Sequence, residues 1–345
     1  MSRQLVSVFS LIIISFFVQC KEKEEKSFND VLLESIGLSF ASSTGRCAIN
    51  SSNNASYFSK GTSPAGSLVV VDRIDARLPT AGSVEIYYPK TGTGPFPIIT
   101  LFPGGNVHGS FYSRYAARIA ADGYVVWIPS QCVPFFTQYF LKPSSAAGNE
   151  VLAYAKQLQT DSTSALFGKL NTDSMAYLGH SLGGVTAIYA LNGICQVPFC
   201  DPGTSFLSEV KVALVYGAGL TNTLDPNQIR LNSAGKATPL VFLQGALDTA
   251  FPPQNALSSY ENYKSIKYLA NIDGMNHYGI TDVNNPFGAN AERTQSTLSQ
   301  EESITRLANL SILFLNAYLK SNTADLTKVN GNTTGITGVT ISNSL

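Results

Sequence analysis

Residues 173–184 read DSMAYLGHSLGG. An apolar run ends in Gly179, and a serine follows between small residues before the chain turns apolar again with helical spacing. Gly179-His180-Ser181-Leu182-Gly183 fits G-x-S-x-G, the pattern of a sharp strand-to-helix turn that lifts a nucleophilic hydroxyl clear of a sheet. The glycines two before and two after the serine keep neighbouring chain from colliding in so tight a bend. The turn also sets Ser181 at a helix N-terminus, where the dipole favours developing negative charge. The bare pattern occurs by chance in many chains, where it is a glycine-rich strand–helix turn with a solvent-facing serine, so the flanking sequence has to decide.

Working outward, strand-like and helix-like segments alternate. FPIITLFPGG (96–105) and YVVWIPS (124–130) are continuous apolar runs, the mark of strands buried on both faces. SMAYLG (174–179), VKVALVYG (210–217), PLVFLQG (239–245) and SIKYLANI (265–272) continue the set. Between them SRYAARIAADG, AGNEVLAYAKQLQT and LGGVTAIYALNG have helical spacing, and ESITRLANLSILFLNAYLK (302–320) is a long final helix. SLVVVDRIDARL and GSVEIYYPK alternate as two early antiparallel strands. This order predicts an α/β fold with a mostly parallel central sheet and helices on both faces, its functional loops gathered at the strand C-termini.

A serine nucleophile needs a base. The 345 residues contain three histidines. His180 belongs to the elbow itself, and a neighbour on that turn is expected to point elsewhere. His108 precedes the nucleophile. His277, in IDGMNHYGITD, follows a predicted strand and completes the chain order serine, acid, histidine. The acid is expected between them, and Asp248 follows the strand PLVFLQG; Asp225, Asp273 and Asp282 are rivals. The oxyanion is expected to meet the backbone N–H of Leu182 and that of Gly105 in FPGGNVHGSF, with Asn106 the next choice.

With these residues assembled, the chain resembles an α/β-hydrolase. It is similar to the group of chlorophyllases, platelet-activating-factor acetylhydrolases, dienelactone hydrolases and cutinase-type polyester hydrolases. The resemblance rests on GPFPIITLFPGGNVHGSFYSRYAARIAADGYVVWIPS, AYLGHSLGGVTAI, LVFLQGALDTAFPP and GMNHYG, in that order. It implies hydrolysis of carboxylic esters through an acyl-enzyme, with Ser181, Asp248 and His277 in the matching positions and no metal or organic cofactor. Gly105 stands where the polyester hydrolases usually carry an aromatic residue, so part of the usual substrate clamp is missing. Ser181 stands where a dienelactone hydrolase normally has cysteine. Rival readings are a lipase or phospholipase, an amidase or peptidase on the same fold, and a non-catalytic surface binding protein.

The remaining features bear on location. MSRQLVSVFSLIIISFFVQC has a basic residue, a short apolar core and a cysteine followed by KEKEEKSFND. Residues 1–20 therefore read as a signal peptide of lipoprotein type, with Cys20 as the lipidated residue and a membrane as partner through that anchor; an ordinary signal peptide or an uncleaved anchor is the alternative. Export follows, to the cell envelope or otherwise to the periplasm or medium. Residues 21–60 read as a polar tether, 61–320 as the catalytic domain, and 321–345 as a Thr/Asn/Gly-rich peripheral tail. Cys195 with Cys200 and Cys47 with Cys132 are possible disulfides, and four buried thiols are the alternative. Basic and acidic side chains balance at 23 each, which leaves no cationic surface for nucleic acid. Trp127 is expected in the core, CVPFFTQYFL (132–141) in a loop lining an acyl pocket or packing on the body, and a lid, if one exists, within 132–150 or 283–300.

Overall fold

In a computed structural model the described residues are 71–345, apart from 80, 136–137, 196–200, 202 and 221–236. Cys20, the tether, Cys47, Cys200 and Asp225 lie outside them.

The strands are β1 (Val71–Leu78), β2 (Gly82–Pro89), β3 (Phe96–Phe102), β4 (Val125–Phe135), β5 (Gln138–Lys142), β6 (Leu170–His180), β7 (Val210–Tyr216), β8 (Leu240–Gly245), β9 (Lys267–Ile272) and β10 (Val339–Ser344). The sheet order is β1-β2-β4-β3-β6-β7-β8-β9-β10, with β5 pairing β4. From β4 through β3 to β9 every pairing is parallel; β1, β2, β5 and β10 join antiparallel.

The apolar runs are continuous because both faces are covered. Along β3, Ile98 and Phe102 face one core while Ile99 and Leu101 face the other; along β8, Leu240 and Phe242 alternate with Val241 and Leu243 in the same way. The first core is closed by α2 (Ala147–Thr160), α3 (Leu182–Asn192) and α4 (Pro253–Asn262), through residues such as Val151, Ile188 and Ala256. The second is closed by α1 (Ser113–Ala121), α5 (Gln300–Leu319) and α6 (Thr323–Asn330), through Ile119, Leu307, Phe314 and Val329. Trp127 is fully buried in the first core, as its place in an apolar strand predicts. The mostly parallel sheet covered on both faces is the one expected from the alternation, and the arrangement is the α/β-hydrolase fold that the resemblance implies.

Two segments differ from their reading in the sequence. Residues 132–135 and 138–141 are strand rather than loop: β4 runs on to Phe135 and β5 pairs back on it, with Gln131 opposite Lys142 and Phe135 opposite Gln138. The tail is not merely peripheral, since its helix α6 closes the second core through Val329. After α6 it lays β10 antiparallel on β9, with Ile341 opposite Ala270. Being at an edge with one neighbour, this strand keeps the polar composition VTISNS.

The parallel strands end side by side. Phe102 is level with Gly179, His180 with Tyr216, Tyr216 with Leu243, and Gly245 with Ile272. The loops beginning at 103, 181, 217, 246 and 273 therefore emerge along one edge.

Candidate active site

Ser181 sits between β6 and α3 with φ 51° and ψ −124°, a left-handed conformation that non-glycine residues adopt only when their surroundings impose it. The imposing contacts come from the glycines. A Cβ on Gly179 would lie 2.6 Å from Gly184 Cα, and one on Gly183 would lie 2.1 Å from the Phe102 carbonyl oxygen. One on Gly184 would lie 2.3 Å from Ala218 Cβ. The helix can start this close to β3 and β7 only without side chains at these points. The Ser181 N–H donates to the Tyr216 carbonyl at 3.0 Å, which ties the bend to β7.

The β7 turn makes room for the other two groups. Gly217 has φ 55°, and a Cβ there would lie 2.7 Å from Asp248 Oδ2 and 2.9 Å from His277 Nδ1. Those two atoms are themselves 2.8 Å apart, with side chains 0% and 4% exposed. Asp248 Oδ1 accepts from the Phe251 N–H at 2.7 Å, so the carboxylate is held at both oxygens. The geometry fixes the tautomer, since an ionised Asp248 makes Nδ1 the donor and leaves Nε2 free to accept. The structure thus gathers Ser181, Asp248 and His277 at one edge of the sheet. The rival acids lie elsewhere: Asp273 is exposed, and Asp282 caps α1, accepting from Ser113 and Arg114 N–H groups at 3.1 and 3.0 Å.

The loop after β3 approaches the serine closely. A Cβ on Gly104 would lie 3.4 Å from Ser181 Cβ. The backbone donors of this loop are unequally committed. Gly104 N–H donates to the Tyr112 hydroxyl at 2.8 Å, and Asn106 N–H donates to the Leu141 carbonyl at 2.8 Å. Asn106 Oδ1 also accepts from Leu141 N–H, so Asn106 is spent on holding β5. Gly105 N–H has no acceptor among the described residues. Leu182 is the first residue of α3, and its N–H is one of the helix-terminal donors without an intrahelical acceptor.

His180 does not point away from the site. It is completely buried and links three loops. Its Nε2 lies 2.9 Å from the His277 carbonyl oxygen, so Nε2 carries the proton and donates. Nδ1 then accepts from the Tyr112 hydroxyl at 2.8 Å, while that hydroxyl accepts from Gly104 N–H. Burial, with His277 beside it, holds the His180 ring well below the usual imidazole range. The same burial drives the Tyr112 hydroxyl upward, so it remains a proton donor. His108 is apart from this chain: it caps the short 3-10 turn Gly109–Tyr112, where its Nδ1 accepts from Ser110 N–H, and lies 3.9 Å from Glu85.

Three features escaped the sequence reading. The role of Gly217 had a signal, a glycine closing an apolar strand. The links through Tyr112 and through Glu292 had none. Cys132 and Cys195 each take part in a disulfide; the partners expected for them lie outside the described residues. Among the described residues no three His, Cys, Asp or Glu side chains converge as a metal site.

Residues 59–198 match the family model PETase: PET hydrolase-like. The matched stretch contains Gly105, Ser181 and Leu182 and ends before Asp248 and His277. No curated protein matches the chain. The chain has the α/β-hydrolase fold, and over residues 59–198 it is similar to the PET hydrolase-like family.

Proposed function

We propose that this protein is a serine hydrolase of carboxylic esters, working through Ser181, His277 and Asp248. One observation carries the reading. A strained serine at a strand–helix turn shares its sheet edge with a buried Asp–His pair whose distal nitrogen is free to accept a proton.

In this mechanism Ser181 Oγ attacks the ester carbonyl while His277 Nε2 takes the hydroxyl proton. Asp248 holds the imidazole and stabilises the imidazolium. The developing oxyanion accepts hydrogen bonds from Leu182 and Gly105 N–H, two donors with no acceptor to give up among the described residues. His277 returns the proton to the departing alcohol, leaving the acyl group on Ser181. Water then attacks, again deprotonated by His277, and the carboxylic acid leaves. Every step uses groups of the chain and water.

The similarity to the PET hydrolase-like family supports an ester substrate. Export and tethering through a lipid on Cys20 rest on the N-terminal sequence and are part of the same proposal. Hydrolysis of a p-nitrophenyl ester series from acetate to palmitate tests the reading. Replacing Ser181 with Ala is expected to remove about five to six powers of ten from kcat, and a fluorophosphonate is expected to label the parent at Ser181 alone. A parent that cleaves no ester and takes no label would move the binding-protein reading to the front. The acyl-length optimum separates a small-ester enzyme from a lipase.

A further inference from the structure

We propose that Glu292 is a positioning residue for the Asp248–His277 pair, and that residues 283–299 act as a strap binding the two loops together. The proposal rests on the serine-esterase reading and adds a residue to it.

Glu292 is only 4% exposed, and its carboxylate is turned onto the loop that carries Asp248. Oε2 accepts from Thr249 N–H at 3.1 Å and Ala250 N–H at 3.3 Å. Oε1 accepts from the Thr249 hydroxyl, and from Arg293 and Thr294 N–H at 2.6 and 3.1 Å. The next amide, Phe251 N–H, goes to Asp248 itself. Two carboxylates thus divide the successive N–H groups of one turn. Glu292 takes the first two and leaves the third to orient the acid.

The strap is equally fixed to the histidine loop. Asn276 Nδ2 donates to the Thr294 carbonyl at 2.8 Å and to Asn284 Oδ1 at 3.1 Å. The Tyr278 hydroxyl donates to the Asn290 carbonyl at 2.5 Å, and Thr297 N–H to the Gly274 carbonyl at 2.9 Å. These residues flank His277 on both sides. One segment therefore sets the separation of the loops that present Nδ1 and the acid. A segment so committed is a brace, and the lid considered for 283–300 in the sequence is not what this stretch forms. The titratable groups around Glu292 are Asp248, His277, and the Tyr216 and Tyr278 hydroxyls, both of which feel the two carboxylates. Burial pushes the Glu292 carboxyl upward, but its hydrogen bonds from Thr249, Thr294 and Ala250 outweigh it, so the group is held below the usual range.

A structural brace lowers stability when cut; a positioning residue also changes the basicity of His277. If the Asp248 turn loosens, the imidazolium loses its partner and the acid limb of kcat/KM moves to lower pH. The test is Glu292→Gln in the full chain, assayed on p-nitrophenyl butyrate with active sites counted by fluorophosphonate. The expected result is a kcat per labelled site about tenfold lower, an unchanged KM, and an acid limb shifted downward. Wild-type kcat per labelled site with an unmoved limb overturns the proposal, whatever the loss in Tm. If Glu292→Gln fails to fold, Thr249→Val removes one donor to the carboxylate and is read by the same limb, with Thr249→Ser expected to restore it; an unmoved limb in Thr249→Val is again fatal. A wild type that neither cleaves esters nor takes the label points instead to failure of the esterase reading itself.

Discussion

The Ser181 side and the Asp248–His277 side of this edge are held by different forces. At the elbow, three glycines within residues 179–184 let backbone pack on backbone, and the missing side chains would all lie within 2.6 Å of other atoms. Around Asp248 and His277 the loops are longer and the work is done by hydrogen bonds: Phe251 and Thr249 amides to carboxylates, Asn276 to the strap, His180 to the His277 carbonyl. Steric packing tolerates no added volume but is indifferent to charge. A hydrogen-bonded network tolerates small changes of shape but fails when a donor or a proton is lost. The two halves should therefore answer differently to substitution, and that difference can be measured.

Among substitutions that separate the two sides, the largest effect is expected at Asp248. Asp248→Asn keeps an oxygen for the Phe251 N–H and removes a buried charge, so Tm should hold. The amide disfavours the Nδ1–H tautomer of His277, and kcat should fall by about four powers of ten. Ester hydrolysis and a thermal melt on the same sample check this. A large fall in Tm with modest loss of kcat would mean that this side, like the elbow, is built on packing.

The elbow should show the opposite pattern. Gly183→Ala drives a methyl group to 2.1 Å from a backbone oxygen of β3, which no side-chain rotation relieves. A loss of roughly 4 kcal/mol is expected, on the order of 10 °C in Tm, with fluorophosphonate labelling lost in parallel. Gly168→Ala is the control. It has a positive φ of 69°, which the helical Gly183 does not, and open space around the added carbon, so only backbone strain of about 1 kcal/mol is expected. Equal losses at the two positions would show that crowding at Gly183 costs no more than backbone strain at Gly168, and that packing does not constrain the elbow.

The same division explains what could be read from the chain. The elbow was legible because its causes are contiguous: apolar strand, glycine, serine, two glycines. The parallel strands were legible because burial on both faces leaves unbroken apolar runs. Asp248 and His277 are picked out by chain order, which ranks candidates without showing what holds them. Glu292 was invisible because the amides it binds lie about forty residues earlier, and only the loop path brings them together. His180 was misread because nothing linear announces that Tyr112 and the His277 carbonyl flank its ring. The hairpin at 131–142 was hidden by an aromatic run interrupted by Pro134, in which period-two alternation is absent. The edge strand β10 was hidden by polarity, since a strand with one neighbour need not be apolar.

The smallest effect concerns His180, which belongs to both halves: packed like the elbow, hydrogen-bonded like the acid side. A buried imidazole held neutral binds its proton less readily in the folded chain than in the unfolded one. Between the depressed folded value and the unfolded value near 6.5, the unfolded state carries more protons. Stability conferred by this group is therefore complete above about pH 6.5 and is lost as pH falls, at up to about 1.4 kcal/mol per pH unit. Glu85 and Asp282, whose carboxyls burial pushes upward, act with the opposite sign and are common to parent and variant. Glu292 acts in the same direction as His180 but lower, below the usual glutamate range. Urea unfolding at pH 7, 6 and 5 isolates the histidine when the parent is compared with His180→Gln, which places an amide donor and acceptor in the same cavity without a titrating ring. The variant should start less stable and lose less per pH unit, so the gap between the two narrows toward pH 5. A constant gap would mean that His180 takes up its proton in the folded chain. The donor and acceptor roles assigned along Gly104, Tyr112, His180 and the His277 carbonyl would then have to be reversed at the histidine.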